Sequence, residues 1–174
     1  MAIWLINGIP GAGKSTTAKA LAGRFAKAVH IEGDTLQEMI ISGAVSPGQE
    51  PKEEEGQQIE LNVHHQCLLA RSFAEAGFEV MIDYVIVDKA RLKHYRDELA
   101  GLELRLVTLA PGIDTALLRD LQRPEKTVAH FWSHLDAIIR QELGEVGLWL
   151  DNSKLSLAES LERILSQESF ASLS

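Results

Sequence analysis

GIPGAGKS, residues 8–15, is a glycine-rich stretch that lies between an apolar run at residues 3–6 and a helix-forming run at residues 16–22. The apolar run predicts a strand, so the loop would lead from a strand into the N-terminus of a helix. Glycines allow the backbone to turn tightly with its N–H groups pointing inward, and the helix dipole favours anions at that end. The stretch therefore predicts an anion-binding loop.

The same stretch fits the pattern GxxxxGK followed by Ser or Thr. In that pattern the lysine ammonium reaches the β- and γ-phosphates of a nucleotide and the hydroxyl binds Mg²⁺. The sequence thus predicts ATP and Mg²⁺ as cofactors, with Lys14 also catalytic and Ser15 also a metal ligand. The predicted nucleotide-binding residues of the loop are Gly8, Gly11, Ala12, Gly13, Lys14, Ser15 and Thr16.

Apolar segments alternate with amphipathic ones along the rest of the chain. Strands are predicted at 3–6, 28–31, 78–85, 102–109 and 147–150. Helices are predicted at 16–22, 34–41, 57–76, 88–100, 114–121, 129–143 and 156–166. Asp34 can cap the second of these helices, and residues 45–58 are expected to form a mobile acidic loop. This alternation indicates an α/β fold: a five-stranded parallel sheet with helices on both faces. We expect one domain over residues 1–174.

Composition excludes several classes of function. The formal net charge of −8 argues against binding to a nucleic acid, which needs a basic surface. No apolar run approaches the roughly 20 residues of a membrane span.

The single cysteine, Cys67, cannot form an internal disulfide and lies in an apolar part of a predicted helix, so we expect it in the core. No basic leader precedes the first strand, and a cytoplasmic location is expected.

Three acidic residues lie near the carboxyl ends of predicted strands. Ligands of parallel sheets bind beyond the carboxyl ends of the strands. Glu32 and Asp34 are two residues apart and face the same way, and Asp83 ends the apolar run at 80–82. The Glu32 and Asp34 carboxylates can both face the phosphate site, one toward Mg²⁺ and one toward an acceptor hydroxyl, and we expect Asp83 to act on Mg²⁺ through water or on the substrate. The alternatives are a helix cap for Asp34 and a solvated strand end for Asp83.

The order and spacing of five motifs resemble the small P-loop kinases of the nucleoside-monophosphate-kinase type. Within them the chain is similar to the branch that phosphorylates small-molecule hydroxyls, which includes chloramphenicol phosphotransferase, shikimate and gluconate kinases and the zeta-toxin kinases. The motifs are GIPGAGKST at 8–16, HIEGD at 30–34, VMIDYV at 80–85, LLRDLQRP at 117–124 and LDNS at 150–153.

The resemblance implies a segment over about 35–76 that covers the acceptor and a short lid over about 119–130. Asp34 matches the acidic residue that orients or deprotonates the acceptor in the related kinases, which leaves Glu32 for Mg²⁺. Arg119 and Arg123 of the lid would clamp the transferred phosphoryl group and flank the adenine, and Asn152 would border the nucleotide. A solvated surface pair is the alternative for the arginines, and a helix-capping turn is the alternative for the loop around Asn152.

The acceptor segment is acidic. Lys52 is the only Lys or Arg between residues 28 and 70, against eight acids. Like charge would disfavour an acceptor that carries phosphate, so we expect a neutral or cationic small-molecule hydroxyl compound. A nucleoside monophosphate kinase and a non-catalytic nucleotide switch remain as alternatives. We expect a monomer or a homodimer.

Overall fold

The computed structural model of this chain describes residues 1–122, 128–144 and 146–173. The strands within these ranges form one parallel sheet in the order β2-β3-β1-β4-β5. They are β1 (Ala2–Asn7), β2 (Ala28–Glu32), β3 (Glu79–Asp83), β4 (Glu103–Leu109) and β5 (Leu148–Leu150). The predicted α/β fold with a five-stranded parallel sheet is confirmed.

Helices surround this sheet. Within the described ranges they are α1 (Lys14–Ala22), α2 (Gly33–Gln37), α3 (Lys52–Glu75), α4 (Lys89–Glu98), α5 (Ile113–Leu121), α6 (Ala129–Trp132), α7 (Leu135–Leu143), α8 (Leu157–Ser166) and α9 (Glu168–Ala171). Every residue of β1 is buried, so the sheet is covered on both faces at its centre. None of the helices in these ranges is long and apolar enough to cross a membrane.

The strand order places a ligand crevice at the carboxyl end of β1. β2 and β3 lie on one side of β1, whereas β4 and β5 lie on the other, so the connection after β1 leads to one side of the sheet and the connection after the neighbouring β3 leads to the other. Parallel α/β sheets bind ligands where the order reverses in this way. The glycine loop begins at that end of β1.

Two of three residues expected in the core lie there. Cys67 is only 2% exposed, and Trp4, which the first predicted strand also places in the core, is fully buried. Trp149 was expected in the core because it lies in the last predicted strand, but β5 is an edge strand and the Trp149 ring is half-buried beneath the Arg140 guanidinium.

The segment after β2 departs from its prediction. α2 ends at Gln37 rather than continuing through residue 41, and Ile41, in the apolar run that predicted the longer helix, is 92% exposed. Tertiary hydrogen bonds fix this backbone instead, since the Gln58 side chain donates to the Gly43 carbonyl and accepts from the Val45 N–H. These partners are distant in sequence, so helical periodicity did not reveal them.

The acidic loop predicted over 45–58 is also partly wrong. α3 begins at Lys52, and Glu53, Glu54 and Glu55 form its first turn. Carboxylates at a helix N-terminus interact favourably with the helix dipole, so the acidic run starts a helix. The helix predicted over 129–143 is divided into α6 and α7.

Candidate functional site

The glycine loop closes tightly around the end of β1. A Cβ at Gly8 would lie 2.6 Å from the Leu109 carbonyl oxygen, and one at Gly11 would lie 2.1 Å from that of Ala116. Gly11 and Gly13 also have φ angles of 84° and 96°, in the left-handed region that favours glycine. The loop therefore requires glycine at these positions for conformation and for close backbone approach.

The loop runs directly into α1. Gly13 is the N-cap of this helix, and Lys14 and Ser15 are its first two residues, with Thr16 exposed beside them. Ala12 is buried, and its N–H donates to the Ile9 carbonyl. The helix start thus directs backbone N–H groups toward the crevice, the geometry suited to phosphate. The Lys14 Nζ lies 3.5 Å from the Ile9 carbonyl oxygen.

Ser15 lies between two of the predicted metal ligands. Its Oγ is 3.3 Å from Glu32 Oε1 and 3.3 Å from Asp83 Oδ1. Glu32 and Asp83 are paired across neighbouring parallel strands, which places both side chains on one face of the sheet. This donor set consists of oxygen atoms only and fits a hard cation such as Mg²⁺, which usually keeps several waters.

The carboxylate set is small. In the described part of the chain, no group of three or more His, Cys, Asp and Glu side chains is arranged to hold a metal ion. Two carboxylates and one hydroxyl are nevertheless the kind of set that holds Mg²⁺ when substrate phosphates supply further oxygens. The predicted residues Ser15, Glu32 and Asp83 therefore fit the ion.

His30 is a member of this cluster that the sequence analysis missed. Its Nε2 contacts Asp83 Oδ2, the carboxylate oxygen that does not face Ser15. A signal was present in the sequence, because His30 is two residues before Glu32 on the same strand and shares its face.

Asp34 does not cap α2. Glu32 is the N-cap residue, and Asp34 lies exposed in the first turn of the helix. The N-cap prediction is therefore wrong, and the reason is that the helix begins at Gly33, directly after the strand. Asp34 remains two residues beyond Glu32 at the same end of the sheet.

Tyr84 lies beside Asp34 at this edge. A Cβ at Gly33 would be 2.4 Å from the Tyr84 ring, so glycine allows the ring to pack against the start of α2. Burial raises the pKa of the Tyr84 phenol; the charge of Arg91 opposes this shift, and the charge of Asp34 adds to it. The phenol is therefore neutral at ordinary pH and able to donate a hydrogen bond.

A buried row of amide side chains on α3 supports the same region. Asn62 donates to the Gly33 carbonyl at 2.9 Å and accepts from Gln66 at 2.9 Å, and Gln66 accepts from the Tyr95 hydroxyl at 2.5 Å. Together with Gln58, these amides are four residues apart and share one helix face. The spacing of these three amides is a signal that the sequence carries.

Arg91 adds a positive charge that the charge count over residues 28–70 did not include. It lies half-buried in the first turn of α4, and its guanidinium donates to the carbonyl of Val85, two residues beyond β3. This charge lies close enough to affect the pKa values of Tyr84 and Glu55.

On the other side of the glycine loop, Arg119 and Asn152 form a connected group. The Arg119 guanidinium donates to the Asn152 carbonyl at 2.8 Å, and the Asn152 side chain donates to the Ala12 carbonyl at 3.1 Å. The two predicted nucleotide-binding residues thus link α5 and the loop after β5 to the phosphate-binding loop.

The predicted lid is described only at its two ends. Arg123 lies outside the described residues, so its position relative to Arg119 stays a prediction. Asp120 Oδ2 accepts hydrogen bonds from the N–H groups of Val128 and Ala129, at 2.7 and 2.8 Å. Asp120 therefore joins the two described ends of this segment.

Comparison with protein families gives one clear match. A family model described as an AAA domain matches residues 3–141. A comparison with curated proteins finds no match.

Several solved structures are similar to the chain over nearly its whole length. One is a sugar kinase from Janibacter sp., with 17% identity, a TM-score of 0.70 and coverage of 98% of this chain and 95% of that one. Another is the tunicamycin resistance protein of Deinococcus radiodurans, with 21% identity, a TM-score of 0.69 and coverage of 98% and 97%. A third is a gluconokinase from Sinorhizobium meliloti, with 18% identity, a TM-score of 0.64 and coverage of 95% and 90%. At these identities the likeness shows the fold, and it confirms the predicted P-loop architecture.

Proposed function

Since this chain belongs to the AAA domain family, we propose that it is an ATP- and Mg²⁺-dependent kinase that transfers the γ-phosphoryl group to a hydroxyl of a small molecule. The observation that carries the proposal is the position of Ser15, between Glu32 and Asp83 at the end of the glycine loop. A phosphate-binding loop beside an oxygen-only cation site is what a nucleoside triphosphate with Mg²⁺ requires.

Each residue of the proposed machinery has a separate task. The backbone N–H groups at the start of α1 bind phosphate oxygens, and Lys14 adds a charge that stabilises the transferring group. Ser15, Glu32 and Asp83 hold the ion, which when bound supplies positive charge to the β- and γ-phosphates. Asp34 orients or deprotonates the acceptor hydroxyl. Arg119, and Arg123 in the lid, stabilise negative charge on the transferred group.

The acceptor is proposed to be neutral or cationic. Asp34 of α2 lies beside the segment that would cover it, and the three glutamates in the first turn of α3 lie within that segment, where Glu55 accepts hydrogen bonds from the Gly48 N–H and from Lys52. Gly48 in turn lies against the Trp132 ring, since a Cβ there would be 2.9 Å from it. The presence of a sugar kinase and a gluconokinase among the structural neighbours also supports an alcohol as acceptor.

One observation favours a second candidate, a nucleoside monophosphate kinase. Arg91 presents a guanidinium near the proposed acceptor side, where it could bind an anionic group. A non-catalytic nucleotide switch is less well supported, because it needs no acidic residue at the position of Asp34. The free Cys67 thiol favours a reducing compartment, and we propose a cytoplasmic enzyme.

A panel of acceptors tests the proposal. AMP, CMP, UMP and dTMP are compared with neutral and amine-bearing alcohols, including sugars, in the presence of ATP and Mg²⁺, and phosphorylated product is measured by mass spectrometry. We expect product with at least one alcohol and none with the monophosphates. Phosphorylation of a monophosphate alone would establish the second candidate. ATP consumption that never depends on an acceptor would contradict both kinase assignments.

A further inference from the structure

The Asp83 carboxylate is held from two directions. It is only 4% exposed, its Oδ1 faces the Ser15 hydroxyl, and its Oδ2 contacts His30 Nε2. The last torsion of an aspartate side chain is broad, so partners on the two oxygens favour one orientation, and here each oxygen has a different partner. The kinase mechanism proposed for this site does not use His30.

The strand register explains why His30 can reach this oxygen. Glu32 pairs with Asp83, and His30 pairs with Met81, two residues earlier on the same strands. His30, Glu32 and Asp83 therefore share one face of the sheet. The His30 side chain is 19% exposed, so its contact with Asp83 is largely screened from water. An ionised carboxylate only accepts, so the imidazole donates from its Nε2–H.

We propose that His30 is a positioning residue for the Mg²⁺ site, which fixes the Asp83 carboxylate with Oδ1 toward Ser15 and the ion. This inference rests on the proposed function, because it takes Asp83 as a residue that acts on the ion. Partners that hold a metal-binding side chain in place typically change metal affinity by about 10- to 100-fold when they are removed. Loss of His30 should therefore lower the affinity of the site for the metal ion and leave the affinity of the glycine loop for phosphate unchanged.

The experiment measures Mn²⁺ as a probe of the Mg²⁺ site. Electron paramagnetic resonance gives the affinity of Mn²⁺ for the complex of the protein with a non-hydrolysable ATP analogue. A second titration gives the affinity of the analogue alone in the presence of EDTA. The variants are His30→Phe and His30→Leu, which remove the donor, and His30→Gln, whose side-chain amide can donate to the same oxygen.

His64 provides a matched control. Its Nδ1 lies 3.0 Å from Glu98 Oε1, which makes it another histidine paired with a carboxylate, on α3 rather than at the glycine loop. His64→Leu removes such a pair without touching the proposed site, and thermal melting in the absence of metal reports the folding of every variant.

We expect His30→Phe or His30→Leu to weaken Mn²⁺ binding by at least about tenfold while the metal-free affinity for the analogue changes by less than about twofold. His30→Gln should recover most of the Mn²⁺ affinity, and His64→Leu should match the wild type. Unchanged Mn²⁺ affinity in a folded His30→Phe or His30→Leu protein would overturn the inference. So would an equal loss of metal-free analogue binding, or the failure of both variants to fold, since either result would make His30 a residue of general stability.

The outcome also separates this inference from the proposed function. If Mn²⁺ affinity depends on His30 but no acceptor is ever phosphorylated, the positioning role stands and the kinase assignment fails. If the wild type binds the analogue no better with the metal than without it, both are overturned.

Discussion

Asp34 is the residue that best distinguishes a kinase from a non-catalytic nucleotide switch. It lies exposed in the first turn of α2, two residues from Glu32. Its charge helps to raise the pKa of the Tyr84 phenol. Asp34→Asn should reduce phosphoryl transfer by about 100-fold or more, because an amide cannot accept a proton. ATP binding should stay within a few-fold of the wild type.

The stability of Asp34→Asn distinguishes a structural role of Asp34 as a helix cap from a role in phosphoryl transfer. Because Glu32 rather than Asp34 is the N-cap, we expect thermal melting to change little. A folded Asp34→Asn protein with full activity per molecule would remove Asp34 from the mechanism.

Cys67 gives a prediction about pH. The thiol is 2% exposed, and burial raises its pKa from the usual 9.0 to about 12, with a further contribution from the charge of Glu98. In the unfolded chain the thiol loses its proton above about pH 9, whereas in the folded protein it keeps the proton, so the folded state binds more protons in this range. The unfolding free energy should therefore fall as the pH rises between these two pKa values, by at most about 1.4 kcal/mol per pH unit.

Urea unfolding at a series of alkaline pH values measures this slope. Cys67→Ala should have a shallower slope than the wild type, whatever its own stability, because the titrating group is gone. Parallel slopes for the two proteins would show that the thiol ionises equally in both states.

Roles could be assigned from sequence to the glycine loop and to the acidic residues at the ends of β2 and β3, because each lies at or next to a strand end. His30 and Arg91 were not assigned, although His30 is two residues from Glu32 and Arg91 is eight residues from Asp83. The contacts of His30 depend on the pairing of β2 with β3, and those of Arg91 depend on the packing of α4. Neither can be predicted from the spacing of residues along the chain.

At the scale of elements, the amide row on α3 connects the core to the acceptor side. Gln66 is fully buried, accepts from Tyr95 and donates to Asn62. Gln66→Ala leaves both partners without that bond inside the protein, and we expect it to lower the unfolding free energy by about 2 kcal/mol. Gln57 is an exposed glutamine on the same helix, so Gln57→Ala should change stability by no more than about 0.5 kcal/mol.

Chemical denaturation of the two variants side by side measures this difference. Equal stabilities would mean that water or a neighbouring group replaces the buried hydrogen bonds. A large loss in Gln57→Ala would instead indicate that contacts on the exposed face of α3 matter as much as the buried row, since alanine itself favours a helix.

The existence of most helices and strands followed from periodicity, and their limits did not always follow. The apolar run at 39–41 predicted a longer α2, but hydrogen bonds from Gln58 hold the chain there in another conformation. The acidic run of Glu53, Glu54 and Glu55 suggested a loop, but their charges favour the start of α3. Both errors arise where an interaction with a helix end or a distant side chain outweighs local pattern.

At the scale of the molecule, the parallel sheet was predictable because strands alternate with helices long enough to cross over it. Periodicity does not determine the strand order β2-β3-β1-β4-β5, since that order depends on which strands pair across long stretches of chain. Once the order is known, the placement of the glycine loop, Glu32 and Asp83 at one edge follows from the direction of the strands.

The most direct test of the central claim follows the γ-phosphoryl group itself. Wild-type protein and a Lys14→Ala variant are incubated with γ-labelled ATP, Mg²⁺ and an alcohol acceptor identified by the panel, and the label on the acceptor is counted after thermal melting has shown that both proteins are folded. Lys14 lies at the start of α1, on the surface of the glycine loop rather than in the core, so the fold should survive its loss. We predict that the wild type transfers label to the acceptor and that Lys14→Ala is slower by at least about 100-fold, because the ammonium stabilises charge that grows in the transition state. Transfer at nearly the wild-type rate by a folded Lys14→Ala protein would contradict the account.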